Sequence, residues 1–522
     1  MLYQFRQVHR WLPVLFFTAF LITGIIIHRD YGISWDEPLQ RSLGLATWDY
    51  VSGTNNDLTG NDNRYLNPVI GLLEVLPEKI LQIKSERAIY LSRHLFNFLF
   101  CWVGMIFFFL LAMLLFKDYR FALLSCMLFL LTPRLFAHCF YNSKDLPFLF
   151  LFVANIFLLI SWFQKPSWKT ILFMVICSGM LTGARMAGLL FPLIFLLAIA
   201  SGFFIRGLKK NEMKMIIGYA MLYPISVYFF FPTFWSEPYI QFIKAFEITS
   251  RHPYEVTTFF MGEVIHSLDS PWYYIPVWMG TTIPLGWWLF FAIGIISIVM
   301  GAFKKPVSIV ADHWLIIMIW LLLPLITIIS FHSSVYDDGR HLFFIYPAFL
   351  LIAVYGIRTL VIKKLTESKL SKIVSRPAAV IFFGVTAAYV ISFMIRFHPY
   401  QYAYFNAIGR RYATEYFEKD YWGLSYRNAL EFLVKYDQGS QINVQWKVDP
   451  GEWNLAWLND YDRNRIYRVK SYQDCNYYIT NYRTSKPQDA SGEKVFEARV
   501  QGITIVAVYK MNPPNTLTGS PP

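Results

Sequence analysis

Asp36 and Glu37 stand side by side in "SWDEP", directly after an apolar run over residues 11–27. Lys144 and Asp145 adjoin in "YNSKDLPFLF", and Arg185 lies in "TGARMAGLL". Asp337, Asp338, Arg340 and His341 crowd "YDDGRHLFFIYP". A carboxylate can take the proton from an attacking hydroxyl, and Arg, Lys and His can hold a departing anion. Each residue alone has a structural alternative. Asp36, Glu37 or Asp145 could cap a helix, and Arg185 could be a snorkelling anchor. Lys144 could pair with a lipid headgroup, and His341 could be a structural hydrogen-bonding group. Recurrence at four ends of apolar runs is what argues for chemistry.

Those residues need elements to position them, and composition says which. The 522-residue chain is 56% hydrophobic and only 16% charged, against about 25% charged in an average soluble protein. This balance predicts a membrane protein with about eleven spans, among them short runs such as 121–137 and 171–181 that need their flanks to reach the roughly 20 residues that cross a bilayer. The net charge of +13 could suggest a nucleic-acid partner. That reading fails because the bases lie in short loops between spans, "KDYR", "QKPSWK", "RGLKKNEMK", "FKKP" and "RTLVIKKLTESKLSKIVSR". The alternate loops hold the acids and aromatics. The positive-inside rule then predicts a cytoplasmic N-terminus and a C-terminal region outside. Arg6 and Arg10 precede the first run, but it is longer than a signal-peptide core and no small-x-small site follows. It reads as a retained anchor. Five cysteines without a CxxC pair indicate neither a disulfide framework nor a zinc site.

Residues 1–397 therefore read as a membrane domain. It includes a first outer loop, 28–94, with interfacial helices around "LNPVIGLLEVLPEKIL", and an aromatic-rich outer loop, 232–281, that could act as a mobile lid. Residues 398–522 read as a small exocytoplasmic α/β domain. In it "YRNALEFLVKY" has helical period, and "EKVFEARVQGITIVAVYK" predicts a hairpin turning at Gln501-Gly502. The final "NPPNTLTGSPP" predicts disorder.

A sugar carried on a polyprenyl phosphate would meet such residues at the outer face, with its tail in the bilayer. At these residues the chain resembles the GT-C superfamily of membrane glycosyltransferases. It is most similar to bacterial relatives of protein O-mannosyltransferases and aminoarabinose transferases, the glycosyltransferase family 39 type. "SWDEP" resembles the family's first acidic motif, "YNSKDLPF" its second, and "GRHLFFIYP" a basic-aromatic motif before a late span. "HPYQYAYFN" and "DYWGLSYRNALEFL" are similar to segments that open the outer domain of bacterial members.

The resemblance implies a GT-C membrane domain in the plasma (bacterial inner) membrane. It implies inverting transfer from a polyprenyl-phosphate sugar donor to a hydroxyl acceptor on a protein, glycolipid or polysaccharide. It gives Asp36 the role of general base and Asp145 that of second acid. Lys144, Arg185, Arg340 and His341 would contact the donor phosphate, and Glu37 would orient Asp36 or meet a metal. A divalent metal stays open. The alternative, a lipid-linked saccharide flippase, would need polar groups along a path through the helices and an inverted repeat, and neither is visible. A non-catalytic scaffold would leave Asp36 and Asp145 unexplained.

Overall fold

Within hydrocarbon every backbone amide must be satisfied inside its own segment, so apolar runs of this length become helices. In the computed structural model, which describes residues 2–55, 58, 63–250, 256–304, 313–362, 369–483 and 492–511, they do. Nine helices among the described residues, from Trp11–Asp30 to Pro377–Arg396, are long and apolar enough to cross a membrane. The expected span over 121–137 is instead a pair, Tyr119–Leu130 and Pro133–Tyr141, bent by 74°. Pro133 disfavours helical geometry in the residue before it, and Thr132 is extended at φ −101°, ψ 96°. Counted as one span, the pair raises the total to ten. The span expected over 171–181 is helix Trp168–Ala184, apolar and 17 residues long. Parts of the basic loops at 303–306 and 358–376, and the tail 512–522, lie outside the described residues.

The first loop forms two helices, Glu37–Val51 and Pro68–Ile80. They cross where Gly44 meets Gly71, so closely that a Cβ on Gly44 would lie 2.3 Å from the Gly71 carbonyl oxygen. Arg41 clamps Glu78 at 2.6 Å, and Glu74 makes a buried ion pair with Arg93 on the next helix, Glu86–Phe116. These contacts hold the start of Glu37–Val51, and so the "SWDEP" turn, against the bundle.

The second loop, where the sequence suggested a mobile lid, carries regular structure of its own. It contains helix Pro238–Ser250 and a hairpin, β1 (Thr257–Phe260) with β2 (Glu263–His266). The Glu418 amide donates to the Phe259 carbonyl at 3.2 Å, and the Phe259 amide donates to the Glu418 carboxylate at 3.2 Å. That exchange docks the hairpin on the C-terminal region.

The C-terminal domain carries β3 (Ile442–Trp446), β4 (Ile466–Arg468), β5 (Tyr477–Thr480), β6 (Gly492–Val500) and β7 (Ile503–Met511) in the order β4-β3-β5-β7-β6. The expected helix is Tyr426–Tyr436, which packs its Leu430 and Leu433 into the core of this domain. The expected hairpin is β6–β7. Gln501 and Gly502 both take positive φ, 53° and 86°, which matches the twist of the strands and favours glycine at the second position. The parallel β4-β3-β5 trio lies outside what the sequence pattern predicts. Its strands are three to five residues long and separated by irregular chain.

Candidate active site

Of the residues singled out in the sequence, Asp36, Lys144, Asp145, Arg185, Asp337 and Arg340 meet in one cluster, brought there by four separate helix ends, and Arg483 joins them from a loop of the C-terminal domain. Asp36 occupies the N-cap of Glu37–Val51 but makes no cap hydrogen bond. Pro38 helps explain this, since it removes one of the backbone N–H groups a cap would use. The Asp36 carboxylate turns instead to Arg340 Nη1 at 2.7 Å, and lies 3.5 Å from Lys144 Nζ. Burial would raise its pKa, but Arg340 and Lys144 outweigh that and hold it well below the ordinary carboxylate range. Lys144 is itself shifted down by burial, with Asp36 opposing the shift.

Asp145 opens helix Asp145–Gln164. One carboxylate oxygen pairs with Arg185; the other accepts from the Asn142 amide at 3.0 Å and lies 3.7 Å from Arg340. Asp337 accepts from Arg340 Nη2 at 2.9 Å and from Arg483 Nη2 at 2.6 Å. Asp338 pairs with Arg134, in the second half of the bent helix pair. Both Asp337 and Asp338 are left-handed, at φ 51° and 69°. Aspartate tolerates this region better than most residues. The turn throws the two carboxylates to different cations.

Arg340 is enclosed. Its guanidinium lies 4.8 Å from the Trp422 ring centroid and 5.3 Å from that of Tyr336. His341 is half-buried and sets its ring edge-on to Tyr336, centroids 4.6 Å apart. Glu37 faces away from the cluster: it accepts the Ser34 amide at 2.7 Å and sits 3.0 Å from His94 Nε2. Among the described residues no three His, Cys, Asp or Glu side chains are grouped to hold a metal. The carboxylates of the cluster are bound to Arg and Lys instead.

Exposure separates a floor from a mouth. The side chains of Arg340 and Asp145 are 2% and 1% exposed, whereas Arg185, Asp36, Arg483 and Lys144 range from 19% to 11%. A ligand therefore reaches the latter four first. Four cations, Lys144, Arg185, Arg340 and Arg483, face three carboxylates, Asp36, Asp145 and Asp337. Arg134 and Asp338 cancel one another. Glu418, 3.9 Å from Arg483, is raised from 4.5 to about 8 by burial, with Asp337 adding to the shift, so near pH 7 it is mostly neutral. A positive excess remains at the mouth.

Arg134, Arg483, Asn142 and Trp422 belong to this arrangement without having been assigned a part from sequence. Arg134 had a signal, a cation next to an apolar run, which in a membrane protein marks a buried partner. Arg483 had none, standing in an unpatterned polar stretch.

This helical bundle, with its outer loops and appended α/β domain, is a fold that recurs among solved structures. Among solved structures, the chain matches ArnT from Cupriavidus metallidurans over nearly the full length of both. The undecaprenyl-phosphate-bound form aligns with 12% identity and a TM-score of 0.51, covering 95% of this chain and 98% of that one. The apo state gives 11% identity and a TM-score of 0.53, covering 96% and 98%. An apo oligosaccharyltransferase from Archaeoglobus fulgidus aligns at 11% identity and a TM-score of 0.49, over 89% of this chain and 66% of that one. No protein-family model matches the sequence, and no curated protein does.

Proposed function

We propose that this chain is an inverting glycosyltransferase that moves a sugar from a polyprenyl-phosphate donor to a hydroxyl acceptor at the outer membrane face. The observation that carries the reading is the cluster itself: an uncapped, partly exposed Asp36 beside Lys144 and Arg185, with cations in excess. ArnT, which shares the fold, binds undecaprenyl phosphate. Polar groups gathered at one end of the bundle suit a reaction there better than passage through the helices.

In this reading the acceptor oxygen attacks the anomeric carbon from the side opposite the phosphate, and inversion follows. The hydroxyl proton goes to Asp36. The bond from the anomeric carbon to the phosphate oxygen breaks, and the departing phosphate keeps the electron pair. Arg185 and Lys144, at the mouth, hold that anion. Arg340 acts from below by orienting Asp36, and Asp145 fixes Arg185. A carboxylate held as acidic as Asp36 is a weak base. Lys144 is its looser partner, at 3.5 Å, and a phosphate that draws this ammonium away lifts the smaller part of that depression, the larger part being due to Arg340. His341 supports Tyr336 at the cluster's edge, and Glu37 anchors the turn.

Purified protein in nanodiscs tests this with a polyprenyl-phosphate sugar. Lys144→Ala combined with Arg185→Ala should weaken donor binding at least tenfold, each lost charged hydrogen bond being worth about 1.5–3 kcal/mol. Unchanged donor binding in that variant overturns the assignment.

A further inference from the structure

A second cavity lies where the last candidate span meets the C-terminal domain. It has a volume of about 260 Å³ and is lined by Tyr389, Ser392, Arg396, Arg410, Gln501 and Gly502, among others. It shares no residue with the carboxylate–cation cluster, and no carboxylate lines it. Gln501 forms part of its floor: its side-chain oxygen accepts the Phe405 amide at 3.2 Å and its nitrogen reaches the Tyr389 hydroxyl at 3.5 Å.

The two arginines come from different elements. Arg396 sits in the last turn of helix Lys369–Arg396, where a cation complements the helix dipole and needs no other explanation. Arg410 does need one. It stands in the first turn of helix Gly409–Tyr416, a turn with no acid, so its charge meets the positive end of the dipole. Both side chains are exposed at the cavity. Two guanidinium groups without a carboxylate between them suit a phosphate, which each can bind in bidentate fashion.

The surroundings say what kind of phosphate. Phe382, Val385 and Tyr389, 40%, 64% and 49% exposed, stand at helical spacing on the cavity's side of the same span and continue it as an outward apolar face. The cavity is smaller than the roughly 300–1,000 Å³ of pockets for drug-sized ligands, so it fits a headgroup and not a whole lipid. We propose that it binds the phosphate-bearing headgroup of an anionic phospholipid. Arg396 and Arg410 hold the phosphate, the Ser392 and Tyr389 hydroxyls face the glycerol, and the acyl chains run along the helix. The lipid would tie the C-terminal domain to the bilayer at a point away from the reaction.

Native mass spectrometry of the full chain, released from nanodiscs of mixed phosphatidylglycerol and phosphatidylcholine, tests the site. The wild-type chain should retain phosphatidylglycerol preferentially, and Lys144→Ala with Arg185→Ala should retain it equally well. Arg396→Gln with Arg410→Gln should lose the preference by tenfold or more, with an unchanged melting temperature in phosphatidylcholine alone. If the double variant does not fold, single Arg410→Gln serves, with a smaller loss expected. Equal retention by the arginine variants overturns the proposal. So does loss in the Lys144, Arg185 variant, which would place the lipid at the cluster. Displacement of phosphatidylglycerol by millimolar inorganic phosphate would show a free-phosphate site and overturn the lipid assignment.

Discussion

Asp36 is the residue on which the proposed chemistry rests, and its partners say how a variant should behave. Asp36→Asn keeps the size and loses the proton acceptor, so turnover should fall by about 10²- to 10⁴-fold. Donor binding should persist, since Lys144 and Arg185 remain. The Asp36 carboxylate makes no cap hydrogen bond, so the cost of an uncapped helix should be absent from the melting curve. Normal turnover in this variant would end the base assignment. Glu418 carries a different signature. Its proton affinity is higher folded than unfolded, so the folded state binds the extra proton between about pH 4.5 and 8. Stability should therefore decline as pH rises through that window. Glu418→Gln should flatten the decline in thermal melts from pH 5 to 8. A wild-type melting temperature that rises over the same range would refute the raised affinity.

At the scale of elements, the first-loop helix pair sets where Asp36 stands. Its crossing needs glycine at position 44, because a Cβ there would lie 2.3 Å from backbone oxygen. Gly44→Val should separate the helices and cost on the order of 1–3 kcal/mol as overpacking, seen as a lower melting temperature. Transfer should fall more than stability, since the "SWDEP" turn moves with its helix. A variant with wild-type turnover would show that the crossing does not position Asp36. The bend at Thr132-Pro133 does similar work for Arg134 and Asn142. It was legible as a proline within an apolar run, although the run's hydropathy argued for one straight span.

On the scale of the whole molecule, the C-terminal domain is part of the site. Arg483 reaches Asp337 from that domain, and Trp422 covers Arg340. The orientation of the chain, inferred from its basic loops, can be tested by cysteine labelling. Native Cys475 is 6% exposed and a poor reporter. In a cysteine-free background, Tyr461→Cys, at a side chain 72% exposed, should react with an impermeant reagent on intact cells. Phe303→Cys, 84% exposed at the other end of a span, should react only after permeabilisation. The reverse pattern would invert the topology and remove the outer-face reaction.

Local pattern was enough for much of this. Hydropathy runs long enough to cross a bilayer marked the helices, because a span's backbone bonds close within itself. The dipeptide Gln501-Gly502 marked a hairpin, because its turn depends on two residues. Acids and cations at run ends mark most members of the cluster. Which charge meets which was decided only by tertiary structure. Arg340 and Asp36 are 304 residues apart, and nothing in either neighbourhood names the other. Adjacent Asp36 and Glu37 look interchangeable in sequence, yet one faces Arg340 and the other His94. An ion pair depends on where two elements approach, and that approach is set by packing such as the Gly44–Gly71 crossing. For the same reason Arg483, in a stretch with no pattern of its own, became a partner of Asp337 only when the C-terminal domain docked on the bundle.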